Sequence, residues 1–117
     1  MTMKLGQHQE AFTRDVAKLL LKGFELGYEG RLGEAQRMPE QQAYYVQTGA
    51  SKTMNSMHLK KCAIDIHWTK DGVICYPEEL GRYWESLSEY NRYGGNFDKD
   101  WAKKDNFKDA PHYERQC

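Results

Sequence analysis

The sequence has no apolar run near the roughly 18 residues of a membrane span. It has no excess of either charge and no closely spaced cysteine pair. Each absence removes a class of function. Lys plus Arg and Asp plus Glu both number 17, which argues against a chain built to bind nucleic acid, because such chains usually carry a basic surplus. Insertion into a membrane is not expected. The opening MTMKLGQHQEAF lacks the apolar segment of a signal peptide, so the chain is expected to be made in the cytoplasm and, if exported, to leave by another route. Cys62, Cys75 and Cys117 are widely spaced, odd in number and free of any CxxC. A disulfide framework is therefore not expected, and all three read as free thiols. Repeats, low-complexity tracts and linkers are also missing. What remains is one domain of 117 residues, expected to be monomeric, with 13% aromatic residues, too many for a disordered chain and enough for a modest core.

The periodicities give the elements. In QEAFTRDVAKLLLK, residues 9–22, Phe12, Val16, Leu19 and Leu20 fall at helical spacing, and Gly23 suits the stop. FELGYEGRL alternates and reads as a strand. Pro39 opens a second helix, PEQQAYYVQT, closed by Gly49. Residues 50–57 read as a loop. CAIDIHW reads as a strand, and Lys70 to Gly72 as a hairpin turn into VICY. Pro77 begins a third helix with Leu80, Trp84 and Leu87 on one stripe, which YGGNF breaks. A polar loop leads to DAPHYE, a short last strand. The order α-β-α-β-β-α-β predicts an α+β domain with a small antiparallel sheet and flanking helices.

The strand CAIDIHW carries the first sign of chemistry. With a period of two, Cys62, Ile64, Ile66 and Trp68 form the core face, while Ala63, Asp65 and His67 face the other way. A carboxylate on the wetter face of a well-anchored strand suits a ligand held on a rigid element. His58 precedes it in the feeding loop, and His112 lies in DAPHYE. Two imidazoles and a carboxylate form a set that zinc accepts, with a fourth position left open, as in catalytic rather than structural sites. Asp109 precedes His112 by three residues, and a carboxylate beside an open metal position suits a general base. By spacing alone these residues have plainer readings. His58 would be a loop histidine, Asp65 a partner of a nearby Lys or Arg, Asp109 a turn residue ahead of Pro111, and His112 a surface histidine. HExxH and paired CxxC are absent.

Four segments read together carry a family resemblance. SMHLKKCAID resembles the S-x-H-x-x-G-x-A-x-D signature of the zinc D-Ala-D-Ala carboxypeptidases and phage L-alanyl-D-glutamate endopeptidases, with Ser56, His58, Ala63 and Asp65 in register. DAPHYE is similar to their D/E-x-x-H element, RMPEQQ to their R-x-x-x-Q stretch, and YGGNF to the W-G-G-D-W segment of the phage enzymes. Lys61 stands where the family has glycine, Tyr93 where it has tryptophan, and Asn96 where it has an acidic residue. If that glycine makes a tight turn, Lys61 alters the local path.

The resemblance implies a Hedgehog/D,D-peptidase-like fold. It makes His58, Asp65 and His112 the ligands of zinc (Zn2+), with Asp109 the general base. Arg37 would contact a substrate carboxylate or the developing oxyanion, for which its planar fork is suited. Ser56 would support the site by hydrogen bonding. The implied activity is a zinc-dependent peptidoglycan peptidase that hydrolyses the stem peptide, as a phage or prophage endolysin cutting L-alanyl-D-glutamate and acting on the bacterial cell wall. A D-Ala-D-Ala carboxypeptidase is the alternative within the class. A non-catalytic zinc or cell-wall-binding module, and a structural protein without metal, are the alternatives outside it.

Overall fold

A computed structural model describes residues 3–33, 35, 44, 46–48, 57–96 and 110–117, with the backbone alone at 58 and 59. The first helix, α1 (Leu5–Glu25), is longer at both ends than its apolar periodicity predicts. At its start the Gln7 side chain accepts the Lys4 backbone N–H at 2.8 Å, occupying one group that helices leave unpaired. At its end Gly23 does not stop the helix. The stop is Gly27, at φ 93°. Tyr28 N–H donates to the Gly23 carbonyl at 2.9 Å and Gly27 N–H to the Phe24 carbonyl at 3.1 Å. This is the paired closure of a Schellman motif.

The predicted strand FELGYEGRL is therefore corrected: Phe24 and Glu25 are helical, and only Glu29–Leu32 form β1. Gly23 has another use. A Cβ there would collide with the six-membered ring of Trp68, so its bare backbone lets α1 lie on the sheet. Alanine would improve helix propensity by up to about 1 kcal/mol. Overpacking costs about 1–3 kcal/mol, and the fully buried Trp68 ring has little room to yield. Gly23→Ala should therefore destabilise the fold and lower Tm by several degrees, measurable by thermal denaturation.

A 3-10 turn (Met57–Lys60) leads into the central strand β2 (Ala63–Lys70). Lys61 joins them at φ 59°, in the left-handed region that favours glycine. The lysine thus keeps the backbone conformation that a glycine would adopt freely, and bears its strain. After β2, Asp71 and Gly72 both have positive φ and turn the chain into β3 (Val73–Cys75), the hairpin that KDG predicts. Helix α2 (Glu78–Leu87) follows Pro77, with Glu78 and Glu79 in the first turn, where the helix dipole favours negative charge. Where the sequence suggests only a break, the structure adds β4 (Asn91–Tyr93) and a 3-10 turn (Gly94–Asn96). The last strand, β5 (His112–Arg115), begins inside the predicted DAPHYE segment and runs one residue past it. Tyr44 and residues 46–48 are helical, within the predicted second helix; the rest of that segment lies outside the described residues.

The sheet is antiparallel, in the order β1-β2-β5-β4, with β3 also paired to β2. Its inner face carries Ile64, Ile66, Trp68, Tyr93 and Tyr113, which pack against Phe12 and Leu19 of α1 and Leu80 and Trp84 of α2. Buried indoles find partners: Trp68 Nε1–H donates to the Tyr113 hydroxyl and Trp84 Nε1–H to the Glu114 carbonyl, each at 2.9 Å. Tyr93, where the resembled segment has tryptophan, is 3% exposed, and a Cβ on either Gly81 or Gly95 would strike its ring. The fold is α+β, a small antiparallel sheet with flanking helices, as the order of elements predicts.

Candidate active site

The other face of the sheet is polar. β2 and β5 pair so that Asp65 stands opposite His112 and Ala63 opposite Glu114. In an antiparallel sheet directly opposed residues project on the same side, so residues 47 positions apart in sequence meet because two strands pair. His112 Nδ1 lies 3.4 Å from Asp65 Oδ1, and His112 Nε2 lies 2.7 Å from Glu114 Oε1. The His112 side chain is 6% exposed, Asp65 19% and Glu114 10%. On β4, Arg92 stands opposite Glu114, with its Nε 4.0 Å from Glu114 Oε2.

Asp65 is fixed through its backbone on one side. Gly33 N–H donates to the Asp65 carbonyl at 2.7 Å, while the neighbouring Ile66 N–H donates to the Pro111 carbonyl at 2.8 Å. Gly33 sits hard against the site, where a Cβ would lie 3.1 Å from Asp65 Cβ and 3.3 Å from His67 Nε2. His67 faces the same way as Asp65, and its Nδ1 lies 3.2 Å from the Tyr76 hydroxyl.

The donor chemistry suits a cation. A neutral imidazole has one N–H and one lone pair. The 2.7 Å contact to a carboxylate requires the N–H at Nε2, so that in its neutral form His112 carries its lone pair at Nδ1, on the side of Asp65 Oδ1. A histidine whose far nitrogen is held by a carboxylate is the usual state of a metal-ligating imidazole. Asp65 and His112 therefore fit zinc, which takes both nitrogen and carboxylate oxygen.

Among the described residues, no group of three or more His, Cys, Asp and Glu side chains is placed to hold a metal. The third expected ligand, His58, has its backbone in the 3-10 turn before β2, where Cys62 N–H donates to the Met57 carbonyl at 3.0 Å; its side chain lies outside the described residues. So do Arg37, Ser56 and Asp109. The sequence motifs do not point to Glu114, Arg92 or Gly33, which the structure adds to the site. The signal for Glu114 is its spacing from His112, since residues two apart on a strand share a face.

No family model and no curated protein matches the sequence. Among solved structures, the chain is similar to the crystal structure of Serratia marcescens L-Ala D-Glu endopeptidase ChiX, at 18% identity and a TM-score of 0.61, over 99% of this chain and 89% of that one. The likeness shows that the chain has the α+β fold of that endopeptidase.

Proposed function

We propose that this protein is a zinc peptidase of the bacterial cell wall that hydrolyses the peptidoglycan stem peptide at L-alanyl-D-glutamate, in the manner of a phage or prophage endolysin. The observation that carries the reading is the Asp65–His112–Glu114 arrangement on paired strands, within the fold shared with an L-Ala D-Glu endopeptidase. His58, Asp65 and His112 would hold the zinc. Bound there, the ion supplies Lewis acidity, polarising a carbonyl and activating water. Asp109 takes the proton of the attacking water and later delivers it to the leaving amine. Arg37 pairs with a substrate carboxylate or with the oxyanion as it develops. Ser56 supports the ligands by hydrogen bonding. Glu114 would hold His112 through Nε2, keeping Nδ1, on the Asp65 side, as the nitrogen available to a metal.

Metal analysis followed by digestion of purified stem peptides, with and without chelator, tests this. The expected result is about one zinc per chain and an internal cut after L-alanine that chelator abolishes. Release of terminal D-alanine instead would make the enzyme a D,D-carboxypeptidase. Bound zinc without any cleavage would favour a wall-binding module, and no zinc would overturn the ligand set. Glu114→Gln gives a finer test. It keeps the shape but weakens the hold on His112, and zinc affinity should fall about 10–100-fold, read by competition with a chromophoric chelator.

A further inference from the structure

The inner edge of the same strand pair carries chemistry that the proposed peptidase does not use. Cys62 precedes β2 and is fully buried, while Cys117 follows β5 and is exposed. Their sulfurs lie 3.3 Å apart, although 55 positions separate them in sequence. The backbone prepares this meeting. The β2–β5 register continues past Ala63 and Glu114, with Arg115 N–H donating to the Cys62 carbonyl at 2.8 Å. Cys62 and Arg115 are therefore opposed, and Cys117, two residues further on, falls on the same face as a diagonal neighbour.

The segment is held at several points. Gln116 N–H donates to the Tyr90 carbonyl at 2.8 Å, and Lys60 Nζ reaches the Cys117 carbonyl at 3.4 Å. The Arg115 guanidinium bonds His8 of α1 and Ser88, and lies over the Tyr90 ring. Cys75 is remote from this pair, on β3 opposite Trp68 near the other end of β2.

We propose that Cys62 and Cys117 are an oxidation site, forming a disulfide that fastens β5 to β2 when the chain meets a disulfide oxidant. A disulfide has an S–S length of about 2.05 Å, so closure needs an approach of little more than about 1 Å. The reaction balances with glutathione disulfide. The exposed Cys117, as thiolate, attacks one glutathione sulfur and releases the first glutathione. Cys62 then gives its proton to solvent and attacks Cys117 Sγ, expelling the second. Two thiols lose two electrons, and one glutathione disulfide becomes two glutathione molecules.

The order of attack follows from the surroundings. Burial, then the hydrogen bond with Cys117, push the Cys62 thiol up to about 12, so it is the resolving rather than the initiating group. The bond would lie on the opposite face of the sheet from Asp65 and His112, tightening the strand that carries His112 without entering the site. The proposal rests on the strand pairing and is independent of the peptidase reading.

The test uses the full chain, treated with glutathione disulfide or dithiothreitol. Titration in denaturant should find one thiol after oxidation and three after reduction, and peptide mapping should join Cys62 to Cys117 with Cys75 free. The oxidised chain should melt about 10 °C higher. Cys117→Ser should abolish that gain and Cys75→Ser should keep it. Three thiols surviving oxidation, a bond involving Cys75, a linked dimer, or equal melting of the oxidised and reduced chains would each overturn the proposal.

Discussion

Asp109→Asn should lower stem-peptide hydrolysis by about 100-fold or more while leaving zinc bound and the fold intact. The amide keeps the size of the carboxylate but cannot take a proton from attacking water. Because Asp109 is assigned as base and not as ligand, the zinc content of the variant should match that of the parent. Asp65→Ala should behave differently. It removes one of three expected ligands from the strand that places it opposite His112. Both zinc and activity should go, with an affinity loss beyond the roughly 10–100-fold typical of an outer partner. Circular dichroism, metal content and kcat on one set of preparations separate the two variants. Parental hydrolysis in Asp109→Asn would remove Asp109 from the chemistry, and full zinc occupancy in Asp65→Ala would remove Asp65 from the ligand set.

The second large effect is on stability. Trp68→Ala should cost about 3–5 kcal/mol for the lost volume, with about 1–3 kcal/mol more for the polar group left behind. Trp68 is fully buried, against Gly23 of α1 and Gly30 of β1, and its indole N–H is the donor to the Tyr113 hydroxyl. That hydroxyl stays protonated, since burial, followed by the nearby Tyr93, pushes its pKa up; it would be left as a buried polar group without its indole. A domain of this size has about 5–15 kcal/mol to lose, so the variant should be marginal or unfolded at room temperature. Trp68→Phe retains most of the ring and should lose far less. Urea denaturation of the three proteins gives the order. Tyr113 is adjacent to His112 on β5, so loss of zinc binding in Trp68→Ala would accompany loss of fold rather than reveal a role for the indole.

Much of this was legible in the sequence, for reasons that differ by element. β2 declared itself because a strict alternation leaves one face apolar and the other carrying Asp65 and His67, and the Asp71–Gly72 turn needs only local chemistry. The end of α1 is ambiguous in the sequence because Phe24, Leu26 and Tyr28 fit an alternating pattern as well as the last turn of a helix. The deciding fact was which glycine adopts positive φ, and it is Gly27. β4 leaves no mark in the sequence because three residues show no period of their own; it exists through its pairing with β5. The site divides the same way. Motif order nominated Asp65 and His112, but their contact, and the Glu114 carboxylate behind it, depend on a register that no local pattern contains. Lys61, where the resembled signature has glycine, has φ 59°, a conformation that glycine adopts freely.

The alternation of β2 also makes the site intolerant of a change in chain length. Every odd position from Ala63 to His67 looks toward the polar face, and every even position from Ile64 to Trp68 toward the core. One residue inserted at Lys61 or Cys62 that shifted the pairing would turn Asp65 inward and push Ile64 and Trp68 into water, because a single slip exchanges the two faces entirely. Core and chemistry are printed on opposite sides of one ribbon, so this stretch can vary in residue type far more readily than in residue count.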